Sequence, residues 1–140
     1  GVKRLGLADR ITEYLSPDAM LPAVGQGALC VETRIDDPII TPLIADLNHA
    51  DTRWAVLAER AFLTRLEGGC QVPIAGHATL EDGQLRLTGL VSDLDGQTMV
   101  RETLEGPAPQ AESIGLELAE RLLARGARTI LDSLQTEIHP

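Results

Sequence analysis

The sequence predicts an α+β fold: a three-stranded antiparallel sheet with helices on one face. Three observations lead there. One amphipathic run covers residues 53–66; three alternating segments follow, joined at Asp-Gly pairs; a second apolar-striped helix spans about 111–125. Helix, three strands and helix in that order pack as a sheet with one face covered and the other left to water or a partner. With 140 residues, 44% of them hydrophobic, the chain can bury a core without disulfide or metal staples.

The first forty-five residues or so read as a mosaic. Arg10 to Leu15 suggests a short strand, Ser16 to Gly27 a loop bearing Pro and Gly, and Ala28 to Arg34 a buried strand that includes Cys30. Asp36-Asp37-Pro38 breaks it. From Thr41 to Leu47 the apolar residues Leu43, Ile44 and Leu47 recur at helical spacing. Asp51 or Thr52 is expected to cap the next helix, which places Trp54, Leu57, Ala58, Ala61, Phe62 and Arg65 on one face. Glu59, Arg60, Arg65 and Glu67 are spaced to form surface pairs along it. Gly68 and Gly69 suit a helix stop. The strands are expected over Ile74 to Glu81, Gln84 to Ser92 and Thr98 to Glu105, with tight turns at Asp82-Gly83 and Asp95-Gly96. Gly106-Pro107-Ala108-Pro109 stops the sheet. The following helix carries Ile114, Leu118, Ala119, Leu122 and Leu123 on one side until Gly126, and a turn or two from Arg128 to Leu134 closes the fold.

Composition narrows the function. A net charge of −9 repels polyanions and argues against a nucleic-acid surface or a polybasic membrane contact. Aromatics make up 2% of the residues, too few for bases to stack on. The opening residues lack the apolar stretch of a secretory signal, and no segment approaches a membrane span, so a cytoplasmic protein is expected. His49, His77 and His139 are scattered and Cys30 and Cys70 have no ligand-spaced neighbours, so no metal is expected.

Cys70 has the most informative setting, Leu66-Glu67-Gly68-Gly69-Cys70-Gln71-Val72-Pro73-Ile74. Two glycines let the backbone turn sharply and leave room beside the sulfur, while Pro73 stiffens the exit. The same residues also suit a small buried side chain at a helix-to-strand corner. A conventional cysteine nucleophile needs a base within hydrogen-bond reach, and His77, seven residues on along a strand, is poorly placed for it. A thiol used as a permanent attachment point needs only exposure and a site for the adduct.

The run from Arg65 to Ile74 resembles the cofactor-attachment signature of the porphobilinogen deaminase (hydroxymethylbilane synthase) family, and Leu21-Pro22-Ala23-Val24-Gly25-Gln26-Gly27-Ala28 resembles that family's other well-marked motif. Ala58-Glu59-Arg60-Ala61 and the Leu47-Asn48-His49 turn agree with it. The resemblance implies a transferase of tetrapyrrole (porphyrin and heme) biosynthesis, condensing four porphobilinogen molecules into hydroxymethylbilane with loss of ammonia. It implies that Cys70 holds a dipyrromethane cofactor by a thioether, as an anchor and not a proton-transfer catalyst, and that Gln26 and Gly27 approach that cofactor. For Gly25 and Gly27, shaping a turn into the next strand is nearly as good a reading.

The resemblance further divides the chain into residues 1–47, a partial segment comprising the end of the family's second domain, the hinge and a strand returning to the first domain, and residues 48–140, the C-terminal dipyrromethane-attachment domain. The family's catalytic aspartate and carboxylate-binding Arg and Lys residues fall in a preceding region, so no catalytic residue is expected in this stretch and the stretch is expected to be inactive alone, with its sulfur unmodified. Family members are expected to be monomers. The orphan residues 1–47 are expected to pair with a second copy or fold back on the sheet. Two other readings fit an α+β domain of this kind: a regulatory small-molecule-binding module, and a dimerisation domain using the open sheet face.

Overall fold

The computed structural model describes residues 1–66 and 73–138, without the side chains of 134–138. Its centre is the expected meander, β1 (Ile74–Glu81), β2 (Gln84–Ser92) and β3 (Met99–Pro107), in the order β1-β2-β3. Ile74 lies opposite Val91 and Glu81 opposite Gln84, so β1 and β2 pair along their length up to a two-residue turn. At that turn Asp82 and Gly83 have φ of 49° and 77°, the left-handed pair that matches the strands' own twist. The second connection is held by Asp93, whose carboxylate accepts from the amides of Gln97 and Thr98, both at 2.8 Å. β3 runs on through Gly106 and Pro107, past the expected stop. Since β3 is an edge strand, the N–H that proline lacks leaves no ladder bond unmade there.

Helices α2 (Ala50–Arg65) and α3 (Ala111–Leu122) cover one face of the sheet. Leu85, Leu87 and Val91 of β2 meet Phe62 of α2 and Leu118 and Leu122 of α3, all fully buried. Each such side chain contributes about 1.5–3 kcal/mol by leaving water. Phe62 stands on the cross-strand pair Gly76 and Gly89: a methyl at Gly89 would lie 2.5 Å from the ring's Cζ. The other sheet face is polar, with Thr88 and Thr103 hydroxyls 2.9 Å apart and Arg86 bonded to Glu105 at 2.8 Å.

The N-cap of α2 is His49, not Asp51 or Thr52. His49 has the extended backbone a cap requires, and its Nδ1 accepts from the Thr52 amide at 3.3 Å. Among the described residues Arg65 pairs across to Glu120 of α3, at 2.6 Å, and not along its own helix. The expected Gly68-Gly69 stop lies outside the described residues. Beyond α3 the backbone kinks at Gly126, with φ of 114°, into α4 (Arg128–Ile138), longer than expected, which buries Ile130 and Leu131.

Residues 1–49 depart most from expectation. Among the described residues neither Arg10–Leu15 nor Ala28–Arg34 forms a strand; the backbone there is irregular, apart from a 3₁₀ turn over Ala8–Arg10. Leu29 is 98% exposed and Cys30 is exposed, where a buried strand was expected. The physical reason is that a strand needs a ladder to join. The outer amides of β1 at Gly76 and Ala78 already have partners, the Pro22 carbonyl and the Glu59 carboxylate. Thr41 to Leu47 does turn helical, as α1 (Ile40–Ile44) followed by a 3₁₀ turn over Ala45–Leu47, but Leu43 and Leu47 are exposed. Asp37 starts that helix, its Oδ1 accepting from the amides of Ile39 and Ile40.

One ion cluster ties β3 to the end of α3. Glu102 accepts from Arg125 at 2.8 Å and from Arg121 at 3.3 Å. The Arg125 hydrogen bond foremost, with help from Arg121 and against the effect of burial, holds the Glu102 carboxyl below the ordinary glutamate range. A folded-state value below the unfolded one stabilises above the unfolded value and is lost as pH falls through the folded one. Acidification below about pH 4.3, where an unperturbed glutamate titrates, is therefore expected to lower the urea midpoint more steeply in the unsubstituted chain than in Glu102→Gln. Parallel acid limbs in the two proteins would show that the cluster adds nothing.

Candidate functional site: two motifs on one strand

The Leu21–Ala28 motif lies along β1, the strand that begins at Ile74, the last residue of the Arg65–Ile74 motif. The stretch before Gly27 runs beside the outer edge of that strand. The Pro22 carbonyl accepts from the Gly76 amide at 3.1 Å, and Val24 packs against the core at Phe62 and Gly76. The chain then turns, with Gln26 N–H donating to the Ala23 carbonyl and Ala28 N–H to that of Gly25. Gly25 and Gly27 have φ of 72° and 83°, a conformation other residues adopt only with strain. Gln26 and Gly27 are exposed at the tip.

What joins this turn to the sheet is Glu59, expected to be a surface residue and instead 6% exposed. Its Oε2 accepts from the Gly25 amide at 2.6 Å and its Oε1 from the Ala78 amide at 2.8 Å. His77 Nδ1 lies 3.9 Å from the same Oε1. One carboxylate thus bonds amides from both chain segments at once. The sequence did carry a signal for it: Glu59 stands three residues before Phe62, on the edge of the apolar stripe, where an unpaired carboxylate would be costly.

Cys70 lies outside the described residues, as do Glu67 and Gln71. The two ends between which it lies are described. Leu66 is buried at the end of α2, and the Pro73 carbonyl accepts from the Ser92 amide at 3.0 Å. Both ends are thereby fixed in the core and on the sheet, and β1 leads from the second of them directly past Pro22 and Gly25.

On the other side of the Gly25 turn is an open cleft of about 380 Å³, bounded by Ala28–Val31 and the start of α2. Arg53, Arg60, His49 and Thr52 line it together with Leu47 and Val56, and among the described residues no Asp or Glu does. Within a chain of net charge −9 its two guanidiniums make the cleft locally cationic. Among the described residues, no three His, Cys, Asp or Glu side chains come together to hold a metal, and no helix is long and apolar enough to cross a membrane.

The family model described as "Porphobilinogen deaminase, C-terminal domain" matches residues 54–124, and the one described as "Porphobilinogen deaminase, dipyromethane cofactor binding domain" matches residues 1–41. Among curated relatives named porphobilinogen deaminase, that of Pelobacter propionicus is 54% identical over 139 residues, covering 99% of this chain and 45% of the relative. That of Syntrophotalea carbinolica is 58% identical over 134 residues, 96% of this chain and 42% of the relative. That of Geobacter metallireducens is 53% identical over 131 residues, 94% of this chain and 41% of the relative. The chain spans less than half the length of the curated relatives it matches. With a C-terminal-domain model matched over half its length, and near-complete coverage by these relatives, the chain belongs to the porphobilinogen deaminase family.

Proposed function

We propose that this chain is the portion of a hydroxymethylbilane synthase that anchors the dipyrromethane cofactor, through a thioether at Cys70. The parent transferase would condense four porphobilinogen molecules into the linear tetrapyrrole hydroxymethylbilane in the cytoplasm, as a monomer. Within it, residues 48–140 are the attachment domain. Residues 1–47 bring the end of the second domain, the hinge and a strand returning to the first. The observation that carries this reading is that the first motif is tied to the strand on which the second one ends: Pro22 and Gly25 are bonded, directly and through Glu59, to β1, which begins at Ile74.

The residues present suit the anchoring role. Bound at Cys70, the cofactor supplies a primer on which further pyrrole units are added. Gln26 and Gly27, exposed on a turn without a Cβ at two of its positions, let the main chain come close to a bulky ligand. Arg53 and Arg60 give the neighbouring cleft cationic partners for carboxylates. Two guanidiniums in a chain of net charge −9 cannot neutralise a growing poly-carboxylate, so sustained catalysis falls to the remainder of the parent protein.

Attachment is balanced without any oxidant. For each porphobilinogen the bond from its aminomethyl carbon to nitrogen breaks and ammonia departs. The first carbon bonds to the Cys70 sulfur, whose proton leaves with the ammonia, and the second bonds to the free α-carbon of the first pyrrole, whose C–H proton leaves with the second ammonia. Intact mass after incubation with porphobilinogen tests this. The expected result is an increment of two deaminated porphobilinogen units on the unsubstituted chain and on Cys30→Ser, none on Cys70→Ser, and no more ammonia than the adduct accounts for. An adduct on Cys70→Ser, or none on the unsubstituted chain, would overturn the assignment. Continued ammonia release would overturn the inactivity of the isolated stretch.

A further inference from the structure

We infer that Glu59 is a positioning residue, a latch whose single carboxylate sets where the Gln26-Gly27 turn stands relative to β1. The inference rests on the proposed function for its purpose, but its geometry stands apart from it. Glu59 lies on α2 between Ala58 and Phe62, the two fully buried residues of that helix, so its backbone cannot shift without moving the core. Its side chain is extended to the edge of β1, where it replaces a neighbouring strand. At the outward edge of β1 the Pro22 carbonyl takes the Gly76 amide and Oε1 of Glu59 takes that of Ala78, at 2.8 Å. The second oxygen, Oε2, is left for a partner from outside the sheet, and that partner is the Gly25 amide at 2.6 Å.

Only an acceptor with two oxygens can hold both amides. Hydrogen bonds to an ionised acceptor are short and about twice as strong as neutral ones, which matches the 2.6 Å spacing to Gly25. Gly25 is also the residue at which the backbone enters the left-handed region, φ 72°, so a bond to its amide fixes the direction in which Gln26 and Gly27 leave. The chain on its N-terminal side is tied down by the Pro22 bond and by Val24 in the core, and on its far side Ala28 onward is exposed. The Glu59 bond is thus the last tie to the sheet before the exposed tip.

Glu59→Gln tests the latch with little change of size. A carboxamide has one acceptor oxygen and an NH₂ that only donates, so one of the two amides must lose its partner. The Ala78 bond is fully buried and the Gly25 bond part-buried, so the oxygen is expected to stay with Ala78 and the Gly25 amide to turn to water. Hydrogen exchange on the full chain is expected to speed up at least tenfold at Gly25 and to rise at Gln26, while the amides of β2 exchange as before. A merely structural role would move β2 as well. Glu59→Asp, a carboxylate one methylene shorter, is expected to fail at Gly25 in the same way, because it cannot span both partners. Unchanged exchange at Gly25 in both variants, or faster exchange spread evenly over the sheet, would overturn the latch.

Intact mass on the same samples separates this inference from the one it rests on. Faster exchange at the turn with no adduct on the unsubstituted chain leaves the latch standing and removes the cofactor reading. An adduct with unchanged exchange does the reverse.

Discussion

Phe62→Ala is expected to cost about 3–5 kcal/mol of folding stability, the usual range for removing a buried ring, against a total of about 5–15 kcal/mol for a domain of this kind. The upper part of that range applies because of what the ring rests on. Its floor is backbone, the Gly76 and Gly89 pair of β1 and β2, and its neighbours Leu118 and Val24 belong to elements held elsewhere. Sheet backbone cannot fold into the vacated space as a flexible side chain can, and Phe62 is the one phenylalanine in the chain. Val24 would lose the surface it packs on, so the Pro22 to Gly25 segment should detach before the sheet itself melts. Urea unfolding checks the first effect, and exchange at the Gly76 amide, which donates to Pro22, checks the second. A loss under about 1 kcal/mol would place the site in the range of well-compensated substitutions and show that the neighbours do collapse.

Gly115→Ala should also destabilise, although local reasoning says otherwise. Inside a helix alanine is favoured over glycine by about 1 kcal/mol, and Gly115 is in the middle of α3. A methyl there would run into the Ala58 carbonyl oxygen and lie 2.9 Å from both Ala61 Cβ and the Phe62 amide nitrogen. These are mostly backbone atoms of a buried helix, and they cannot rotate aside. Forced separation of packed elements costs typically about 1–3 kcal/mol, occasionally more. The net effect expected is a loss of about 2 kcal/mol after the helix gain is set against the upper end of that cost. Because α2 carries Glu59, separation of α2 from α3 should also loosen the latch. A raised urea midpoint in Gly115→Ala would contradict the close crossing of the two helices.

Much of the chain from His49 onward was legible beforehand, because there the residues that decide local structure are neighbours. The ends of β1 and β2 follow from Asp82-Gly83, whose left-handed backbone allows one kind of turn and hence one register. The stripe containing Ala58 and Phe62, and that containing Ile114, Leu118 and Leu122, follow from a period of 3.6 residues. The shift of the helix cap to His49 shows the limit of such reading: an imidazole nitrogen took a role more often filled by a hydroxyl or carboxylate. Of the candidate site residues, Gln26 and Gly27 stand on an exposed turn, and Cys70 lies outside the described residues.

Sequence by itself determined the meander, its two covering helices and the two motifs whose likeness to porphobilinogen deaminases the family models bear out. Only the tertiary structure decided that Ala28 to Arg34 is not a strand, that Cys30 is exposed, and that Glu59 is buried with bonds to Gly25 and Ala78. The reason is the range of the forces involved. Turn chemistry and hydrophobic period act over a few residues and are written in order along the chain. A strand edge or a buried carboxylate is satisfied only by a partner brought from far away, here Pro22 for Gly76 and Gly25 for Glu59, and the sequence does not say which distant amide or carbonyl that will be.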